Sequence, residues 1–439
     1  MCPAQAWRSR VCARSRESYA LTAMSAPNLG RWPVAVLLVT IFASACGSPP
    51  APIATDRPAS MSASSSPALD GQSATPASGL AASPTPTPTA AATPRPKPET
   101  PPSATVARPS CPRETDYFPA GYRAYHTDAA LCRAVVAAAA AHPGIARLFT
   151  IGRSWQGRPL WAMEISTHLS DGTHPPAVLF DGLHHGLEHL SLEMTLGIMG
   201  WLLNGFGRDR AITRLVSSRV IFIIFAVNPD GAAADIAGGR FHAWRKNRQP
   251  GPGGVIGTDL NRNYADHWGC CGLVSANPAS AYYRGTAPFS APETKAVRAF
   301  IQSRLFNGHQ QIRVAITFHS SGRLVLWPYG YTTTAIPRDM RVDDHAVFVA
   351  IGREMARRNG YRPEQASGLY VDSGTARDWE YGVQGIFAFT FELGLGAYQR
   401  SSAIAPEVAR NRSAVLYLIG LADCPYRVIG RALEHCAGI

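Results

Sequence analysis

The chain has 439 residues, of which 42 are Lys or Arg and 30 are Asp or Glu, giving a formal net charge of +12. This length would suit roughly two or three domains, but the composition changes sharply along the chain, and most of the first quarter lacks the large apolar side chains that a core requires. No basic run is interleaved with aromatic residues, so the positive charge does not indicate a nucleic-acid partner.

The first 46 residues have the composition of a presequence. Residues 24–46, MSAPNLGRWPVAVLLVTIFASAC, combine a short segment ending in Arg31, an apolar run too short to span a bilayer comfortably, and small residues before Cys46. This is the layout of a secretory signal, with Met24 as an alternative start. The letters ASAC resemble the box at which bacterial lipoproteins are cleaved and acylated. We therefore expect an extracytoplasmic protein, either secreted or anchored to the outer face of the bacterial membrane through a lipid on Cys46.

A change of composition marks the boundary of the folded part. Residues 47–110 are rich in Pro, Thr, Ala and Ser, as in ASPTPTPTAAATPRPKPET, and cannot bury enough apolar surface to offset their ordering entropy, so they predict a disordered tether. Residues 111–439 then form one domain, which we expect to be monomeric. Export permits disulfides in this domain, but the sequence does not give their pairing. Its cysteines are Cys111, Cys132, Cys270, Cys271, Cys424 and Cys436.

The domain alternates helical and strand-like segments. An alanine-rich helix is predicted over 129–141, and from about Phe149 onward apolar runs alternate with helical stretches, which is an α/β pattern. The runs are rich in Val, Ile and Phe, as strands buried on both faces are. The predicted strands are residues 176–183, 219–227, 312–318, 323–329 and 385–391.

Polar side chains follow these strands directly. His184 and His185 follow the first, Asn228 the second, His319 the third and Glu392 the last. Ligands of open α/β sheets bind at the carboxyl ends of the strands. These positions therefore predict a site at one edge of the sheet.

The stretch GLHHGLEHLSLEM, residues 182–194, is compatible with two zinc sites. In an H-x-x-E site, His185 and Glu188 are both ligands; in an H-x-x-E-H site, His185 and His189 are the ligands and Glu188 is the general base. Local geometry does not separate the two, because residues three or four apart can both converge on one ion. The first site still needs another ligand and a base, and His319 and Glu392 are in place to supply them.

Residues 117–426 resemble the zinc metallocarboxypeptidases of the carboxypeptidase A and B type, the funnelin family, and most nearly the bacterial carboxypeptidase T group. The resemblance rests on a long ordered series of motifs and implies a single domain with a central mixed, twisted β-sheet flanked by helices. The motifs are IGRSWQGRPLWAMEIS, LHHGLEHLSLEM, NPDG, AWRKNRQP, GTDLNRNY, WGCCG, YRGTAPFSAPET, ITFHSS, WPYGY, DWEYGVQGIFAFTFEL and ADCPYRVIG.

This resemblance implies an enzyme that hydrolyses the C-terminal bond of peptides and proteins. It implies one Zn²⁺ held by His185, Glu188 and His319, with a coordination position left for water. Glu392 matches the general base, which takes a proton from the zinc-bound water and delivers it to the leaving amine. His189 is then not a zinc ligand and lies on the face of a helix.

The resemblance also implies residues that bind the substrate. Arg248 matches the arginine that stabilises charge on the scissile carbonyl oxygen, and Arg245 lines the cleft. Asn261 and Arg262 match the pair that holds the terminal carboxylate, and arginine suits this role because its planar fork offers two parallel hydrogen bonds. Tyr370 matches a mobile tyrosine that closes over the C-terminal residue.

The family's specificity pocket has its floor at Arg377 in this chain. A cation there favours C-terminal Glu or Asp, whereas pairing of Arg377 with Asp372 would leave a broad preference. Leu187 and Ser321 stand where the family has an arginine and a tyrosine that contact the upstream part of the substrate. We expect no folded activation segment and no calcium site.

Two further functions remain open at this point. The first is hydrolysis of peptidoglycan stem peptides by a carboxypeptidase or amidase, since these peptides also carry free carboxylates. The second is a catalytically inactive, surface-anchored peptide-binding protein.

Overall fold

A computed structural model describes residues 110–437. The predicted signal, the lipid site at Cys46 and nearly all of the tether lie outside these residues. No helix within the described residues is long and apolar enough to cross a membrane.

The described part contains helices of very different lengths, and three of them run for seventeen or eighteen residues. The helices are α1 Asp128–Ala141, α2 His189–Gly205, α3 Arg210–Ser218, α4 Pro229–Asp235, α5 Pro292–Gln302, α6 Val342–Asn359, α7 Ala376–Gly382, α8 Ile404–Leu421 and α9 Ala432–His435. The predicted alanine-rich helix corresponds to α1, whose N-cap Thr127 accepts a hydrogen bond from the Ala130 amide.

Eight strands form the central sheet in the order β1-β2-β4-β3-β7-β10-β8-β9, and β5 pairs separately with β6. The strands are β1 Ala146–Arg153, β2 Pro159–Ile165, β3 Ala177–Gly182, β4 Val220–Ile224, β5 Leu305–Phe306, β6 His309–Gln310, β7 Ile312–His319, β8 Leu324–Trp327, β9 Arg362–Gln365 and β10 Phe387–Glu392. All five predicted strands are present; β3, β4 and β8 are shorter than predicted, while β7 and β10 each extend one residue further at their C-terminal ends. The α/β class and the mixed sheet are therefore confirmed.

Successive strand residues point to opposite faces of the sheet. Helices pack on each face, so both faces are buried. In β3, Val178 and Phe180 pack in one core cluster with side chains of α2, α6 and α8. Ala177 and Leu179, between them in sequence, pack in a second cluster with α5 and α7. This two-sided burial explains why the strands are continuous in apolarity.

Strands β4, β3, β7 and β10 are parallel neighbours and form the centre of the sheet. Gly182 at the end of β3 pairs with Phe318, and His319 at the end of β7 pairs with Glu392 at the end of β10. The polar residues that follow these strands therefore meet at one edge of the sheet.

Three disulfides join the cysteines of the domain, a pairing that the sequence left open. Cys111 pairs with Cys132 and ties the start of the domain to α1. Cys424 pairs with Cys436 and closes the C-terminal turn, while the adjacent residues Cys270 and Cys271 pair with each other.

One buried carboxylate has an unusual environment. Glu380 of α7 is fully buried, and neither of its carboxylate oxygens has a hydrogen-bond partner. Burial, together with the nearby carboxylate of Asp181, raises the pKa of Glu380 well above its ordinary value. The folded protein therefore holds a proton that the unfolded chain releases above about pH 4.3, and the free energy of unfolding falls as the pH rises.

We expect Glu380→Met to raise the free energy of unfolding at pH 8 by about 1–3 kcal/mol, because an apolar side chain of similar length removes an unpaired buried acid. The gain should be smaller at pH 5, where less free energy is needed to keep the carboxyl protonated. Urea denaturation of both proteins at the two pH values measures the difference. An equal loss of stability at both pH values would contradict this account of Glu380.

Candidate metal centre and substrate cleft

The loop between β3 and α2 places two side chains of the predicted metal site. Glu188 is the N-cap residue of α2, but its side chain makes no capping hydrogen bond and turns towards His185 instead. The loop packs closely on the neighbouring backbone at Gly186, where an added Cβ would lie 2.4 Å from the carbonyl carbon of Gly231. The Gly186 amide donates to the Arg245 carbonyl at 3.0 Å. A glycine is therefore required for the loop to reach this position.

His185, Glu188 and His319 form a buried cluster. The Nδ1 atom of His185 lies 2.8 Å from Glu188 Oε1, and the Nδ1 atom of His319 lies 2.9 Å from Glu188 Oε2. The two Nδ1 atoms are 3.2 Å apart. Both imidazoles thus turn the same kind of nitrogen towards one carboxylate.

The cluster fits a zinc ion by its donor chemistry and its dimensions. Two imidazole nitrogens and a carboxylate are ordinary zinc ligands, and atoms bound about 2.1 Å from one ion at tetrahedral angles lie roughly 3.4 Å apart. The close approach of the two Nδ1 atoms is favourable if both lone pairs face a cation. Three protein ligands also leave a position for water or substrate, as a catalytic site requires.

The outer nitrogens of both histidines are held by other side chains. His185 Nε2 lies 3.2 Å from Asp259 Oδ1, and His319 Nε2 lies 3.3 Å from Asn261 Nδ2. A partner on the far nitrogen fixes the tautomer and orientation of a metal-binding imidazole. Asp259 was missed in the sequence, although it stands two residues before Asn261 in GTDLNRN.

The other two histidines of the stretch GLHHGLEHLSLEM have structural partners. His189 Nε2 lies 2.9 Å from Asp235 Oδ2, and its ring packs edge-on against Phe118. His184 Nε2 lies 2.9 Å from the Tyr264 hydroxyl, and burial lowers the pKa of His184 well below its ordinary value. The geometry therefore supports H-x-x-E and not H-x-x-E-H.

Arg245 is the arginine whose contacts reach the cluster, and the carbonyl-binding role that the resemblance implies for Arg248 stays a prediction. Arg245 Nη1 lies 3.9 Å from Glu188 Oε1, and its Nε donates to Asp259 Oδ2 at 2.9 Å. Its Nη2 is buried without a hydrogen-bond partner. Arg248 instead stacks its guanidinium over the Trp244 ring, 4.4 Å from the centroid. The pattern WRKNR offers two arginines, and only the tertiary contacts show which one reaches the cleft.

Glu392, which the resemblance implies as the general base, lies beside the cluster. It pairs with His319 across β10 and β7, and paired residues of neighbouring strands project to the same face. Burial and the carboxylate of Glu188 raise the pKa of Glu392 well above its ordinary value. A cation held by Glu188 would cancel the repulsion between the two carboxylates.

Asn261, Arg262 and Tyr370 come together next to the cluster. Arg262 is fully buried; its Nε donates to the Leu273 carbonyl at 2.6 Å, while its Nη2 has no hydrogen-bond partner. The Tyr370 ring lies 5.9 Å from the Arg262 guanidinium carbon and is 38% exposed. A buried guanidinium with an unused donor beneath an accessible tyrosine is suited to bind a carboxylate.

Arg377 is buried and its charge is matched by acidic neighbours. Its Nε donates to Asp378 Oδ1 at 2.9 Å, and its Nη2 lies 3.7 Å from Asp372 Oδ1. Asp372 Oδ2 also lies 3.2 Å from Arg262 Nη1. Asp372 therefore lies between Arg262 and Arg377 and is close to both guanidinium groups.

Comparison with known proteins agrees with this geometry. The family model described as zinc carboxypeptidase matches residues 131–414. A zinc carboxypeptidase of Saccharothrix mutabilis subsp. capreolus is 40% identical over 322 residues, covering 72% of this chain and 74% of that protein. Carboxypeptidase A1 of Rattus norvegicus is 32% identical over 284 residues, which is 64% of each chain and just under two thirds of the rat protein.

A solved structure is also similar. The crystal structure of thrombin activatable fibrinolysis inhibitor matches with a TM-score of 0.62 and 27% identity, covering 68% of this chain and 74% of that one. The fold and the buried cluster define a metallohydrolase of the carboxypeptidase type. The chain belongs to the zinc carboxypeptidase family.

Proposed function

We propose that the protein is an exopeptidase that removes the C-terminal residue of peptides, with one zinc ion held by His185, Glu188 and His319. The observation that carries the proposal is the arrangement of two sites side by side. A three-ligand cluster stands next to a buried guanidinium with an unused donor, Arg262 Nη2. A zinc ion at the cluster would polarise the scissile carbonyl and acidify water.

The residues around the cluster have distinct tasks in this proposal. Glu392 accepts the proton of the attacking water and passes it to the leaving amine nitrogen. Arg245 turns its free Nη2 towards the carbonyl oxygen, on which negative charge develops. Asp259 holds Arg245 and His185 together, so it fixes the position of a charge and of a ligand at once.

Binding of the free carboxylate decides which bond is cut. Arg262 and Asn261 receive the carboxylate and Tyr370 covers it, so that the adjoining peptide bond lies over the cluster. An internal peptide bond offers no carboxylate to this position. The same side chains therefore account for cleavage at the terminus.

A pair of peptides tests this function. We expect the zinc-loaded protein to release the last residue of a peptide with a free carboxylate and to leave the C-terminal amide of that peptide intact, because only the first binds Arg262. A chelator should abolish activity and added Zn²⁺ should restore it. Equal cleavage of both peptides would contradict the role of Arg262, and activity on purified muropeptides alone would support the stem-peptide alternative.

The surroundings of Arg377 bear on which C-terminal residue of the substrate the protein accepts. An isolated cation would select Glu or Asp, but Arg377 lies against Asp378 and near Asp372. A matched ion pair has little net charge with which to attract a carboxylate. These contacts support a broad preference over a strict acidic one.

A side-chain scan at the last position distinguishes the two preferences. We expect kcat/KM values for otherwise identical peptides ending in Glu, Lys and Leu to lie within about tenfold of one another, a difference of about 1.4 kcal/mol. Asp372→Asn removes one of the two carboxylates near Arg377 and should raise the ratio of Glu to Leu. A strong selection for Glu in the unchanged protein would establish the acidic preference.

The cellular location is a further part of the proposal. The disulfides Cys111–Cys132 and Cys424–Cys436 support an oxidising compartment, and hence an exported protein. The lipid anchor concerns Cys46, outside the described residues, and stays a prediction, as does the monomeric state. Mass spectrometry of the mature N-terminus tests the anchor.

A further inference from the structure

The disulfide between Cys270 and Cys271 joins neighbours in the sequence. Such a bridge closes a very small ring, so it restricts the unfolded chain little compared with bridges that close long loops. We therefore expect this disulfide to act by stiffening the residues around it in the folded protein. We refer to residues 270–273 as the Cys-Cys loop.

On one side, the Cys-Cys loop is bonded to the segment that follows Tyr370. The Cys271 amide lies 3.3 Å from Ser373 Oγ, which donates in turn to the Cys271 carbonyl at 3.2 Å. The Leu273 amide donates to the Val371 carbonyl at 2.7 Å. Residues 371–373, which directly follow Tyr370, are thus hydrogen-bonded to the Cys-Cys loop.

On the other side, the Cys-Cys loop is bonded to Arg262, whose Nε donates to the Leu273 carbonyl at 2.6 Å. The contact between the loop and residues 371–373 leaves no room for a side chain at Gly272. A Cβ there would lie 1.9 Å from the Val371 carbonyl oxygen, and Gly272 has a φ of 70°. Cys270 itself is exposed to solvent.

We propose that the Cys270–Cys271 disulfide positions the carboxylate-binding side of the cleft. By stiffening residues 270–273 it holds Arg262 and the Tyr370 segment in the arrangement that receives the terminal carboxylate. This inference rests on the proposed carboxypeptidase activity. The loop's hydrogen bonds within the described residues do not reach His185, Glu188, His319 or Glu392, so the disulfide acts on substrate binding and leaves the chemical step alone.

An exposed disulfide is open to reduction by a dithiol reagent. The dithiol gives up two electrons and two protons, the Cys270–Cys271 bond becomes two thiols, and the reagent becomes its own disulfide. The loop then gains freedom and Arg262 loses a fixed neighbour. The change reverses when an added small disulfide accepts two electrons and two protons from the two thiols and is itself reduced to thiols.

The test compares two paired cysteine replacements in the full chain. Cys270→Ser/Cys271→Ser should raise KM for a free-carboxylate peptide by about tenfold or more with kcat within about twofold, since a small misplacement of a positioning group is costly. The matched control, Cys424→Ser/Cys436→Ser, should leave KM unchanged. Gly272→Ala, which keeps the disulfide but crowds Val371, should raise KM in the same way. Zinc content and circular dichroism identify any variant that fails to fold.

Reduction of the unchanged protein provides a second measurement. Dithiothreitol also binds zinc, so it is added at a constant concentration of free Zn²⁺. It should then raise KM reversibly in the unchanged protein and in the control, and it should have no effect on Cys270→Ser/Cys271→Ser. An unaltered KM in Cys270→Ser/Cys271→Ser, or parallel losses of kcat and zinc, would overturn the proposal.

A binding measurement separates this inference from the proposed activity. On a Glu392→Gln background, calorimetry with a free-carboxylate peptide should show Kd raised about tenfold by the paired serine replacements, and much less with the amidated peptide. If binding responds in this way but the unchanged protein cleaves nothing, the proposed activity fails and the positioning role stands. If binding does not respond, the positioning role fails.

Discussion

Replacing Glu392 with Gln is expected to lower kcat by about 10²- to 10⁴-fold while KM and zinc content stay close to those of the unchanged protein. The amide keeps the size of the side chain but cannot accept the proton of the attacking water. Glu392 is not among the three side chains of the buried cluster, so the metal should be retained. Steady-state kinetics on a free-carboxylate peptide, with zinc measured by atomic absorption, gives both quantities.

A glutamate on the surface provides the control for this experiment. Glu354 of α6 forms an ion pair with the exposed side chain of Arg357. Glu354→Gln removes the same charge far from any proposed role, and we expect no change in kcat beyond about twofold. Unchanged turnover in Glu392→Gln would remove Glu392 from the mechanism, and loss of zinc would instead make it part of the metal site.

Arg245→Gln is expected to lower kcat by about 10²- to 10³-fold, the usual effect of removing one donor to a developing oxyanion. Arg248→Gln should change kcat by less than about threefold, because Arg248 stacks on Trp244. The comparison tests directly which of the two arginines binds the carbonyl oxygen. The reverse order of effects would restore Arg248 as the residue that binds the carbonyl oxygen.

The loss of Arg245 also leaves Asp259 without its closest cation, and this second effect has to be separated from the first. Asp259 is fully buried; burial raises its pKa, but the charge of Arg245 and the hydrogen bond with His185 outweigh this and hold it below its ordinary value. Arg245→Lys retains a cation near Asp259 but not the planar fork, so it should recover stability and only part of kcat. Thermal denaturation and zinc content distinguish a folding defect from a catalytic one.

The position of the site could be predicted because its residues follow apolar strands. His185, His319 and Glu392 each stand at or just after the end of a strand whose composition is unambiguous, and parallel strands bring such ends together. Local sequence does not separate the H-x-x-E motif from the H-x-x-E-H motif, because both place their ligands close enough to bind one ion. His189 is a competent ligand by type; the resemblance implied that it is not one, and in the structure its partners are Asp235 and Phe118.

Side chains that act through charge pairs could not be placed from the sequence. Arg245 and Arg248 are chemically identical and three residues apart, and their roles depend on which one meets Asp259. Arg377 is a cation in the sequence, but in the structure Asp378 and Asp372 match its charge. An arginine alone would favour substrates that end in Glu or Asp. The two carboxylates that folding brings next to Arg377 oppose this preference.

The α/β class, the strands and the residue types of a zinc cluster could be predicted without a structure, because apolar periodicity and ligand chemistry are local properties of the chain. Which arginine lies beside the cluster and which cysteines pair became clear only from the contacts in the folded protein. These contacts also show that Asp259 holds a ligand and a cation together. These are relations between side chains that composition and periodicity do not specify, and burial makes the polar ones strong because buried charges and donors need partners at hydrogen-bond distance.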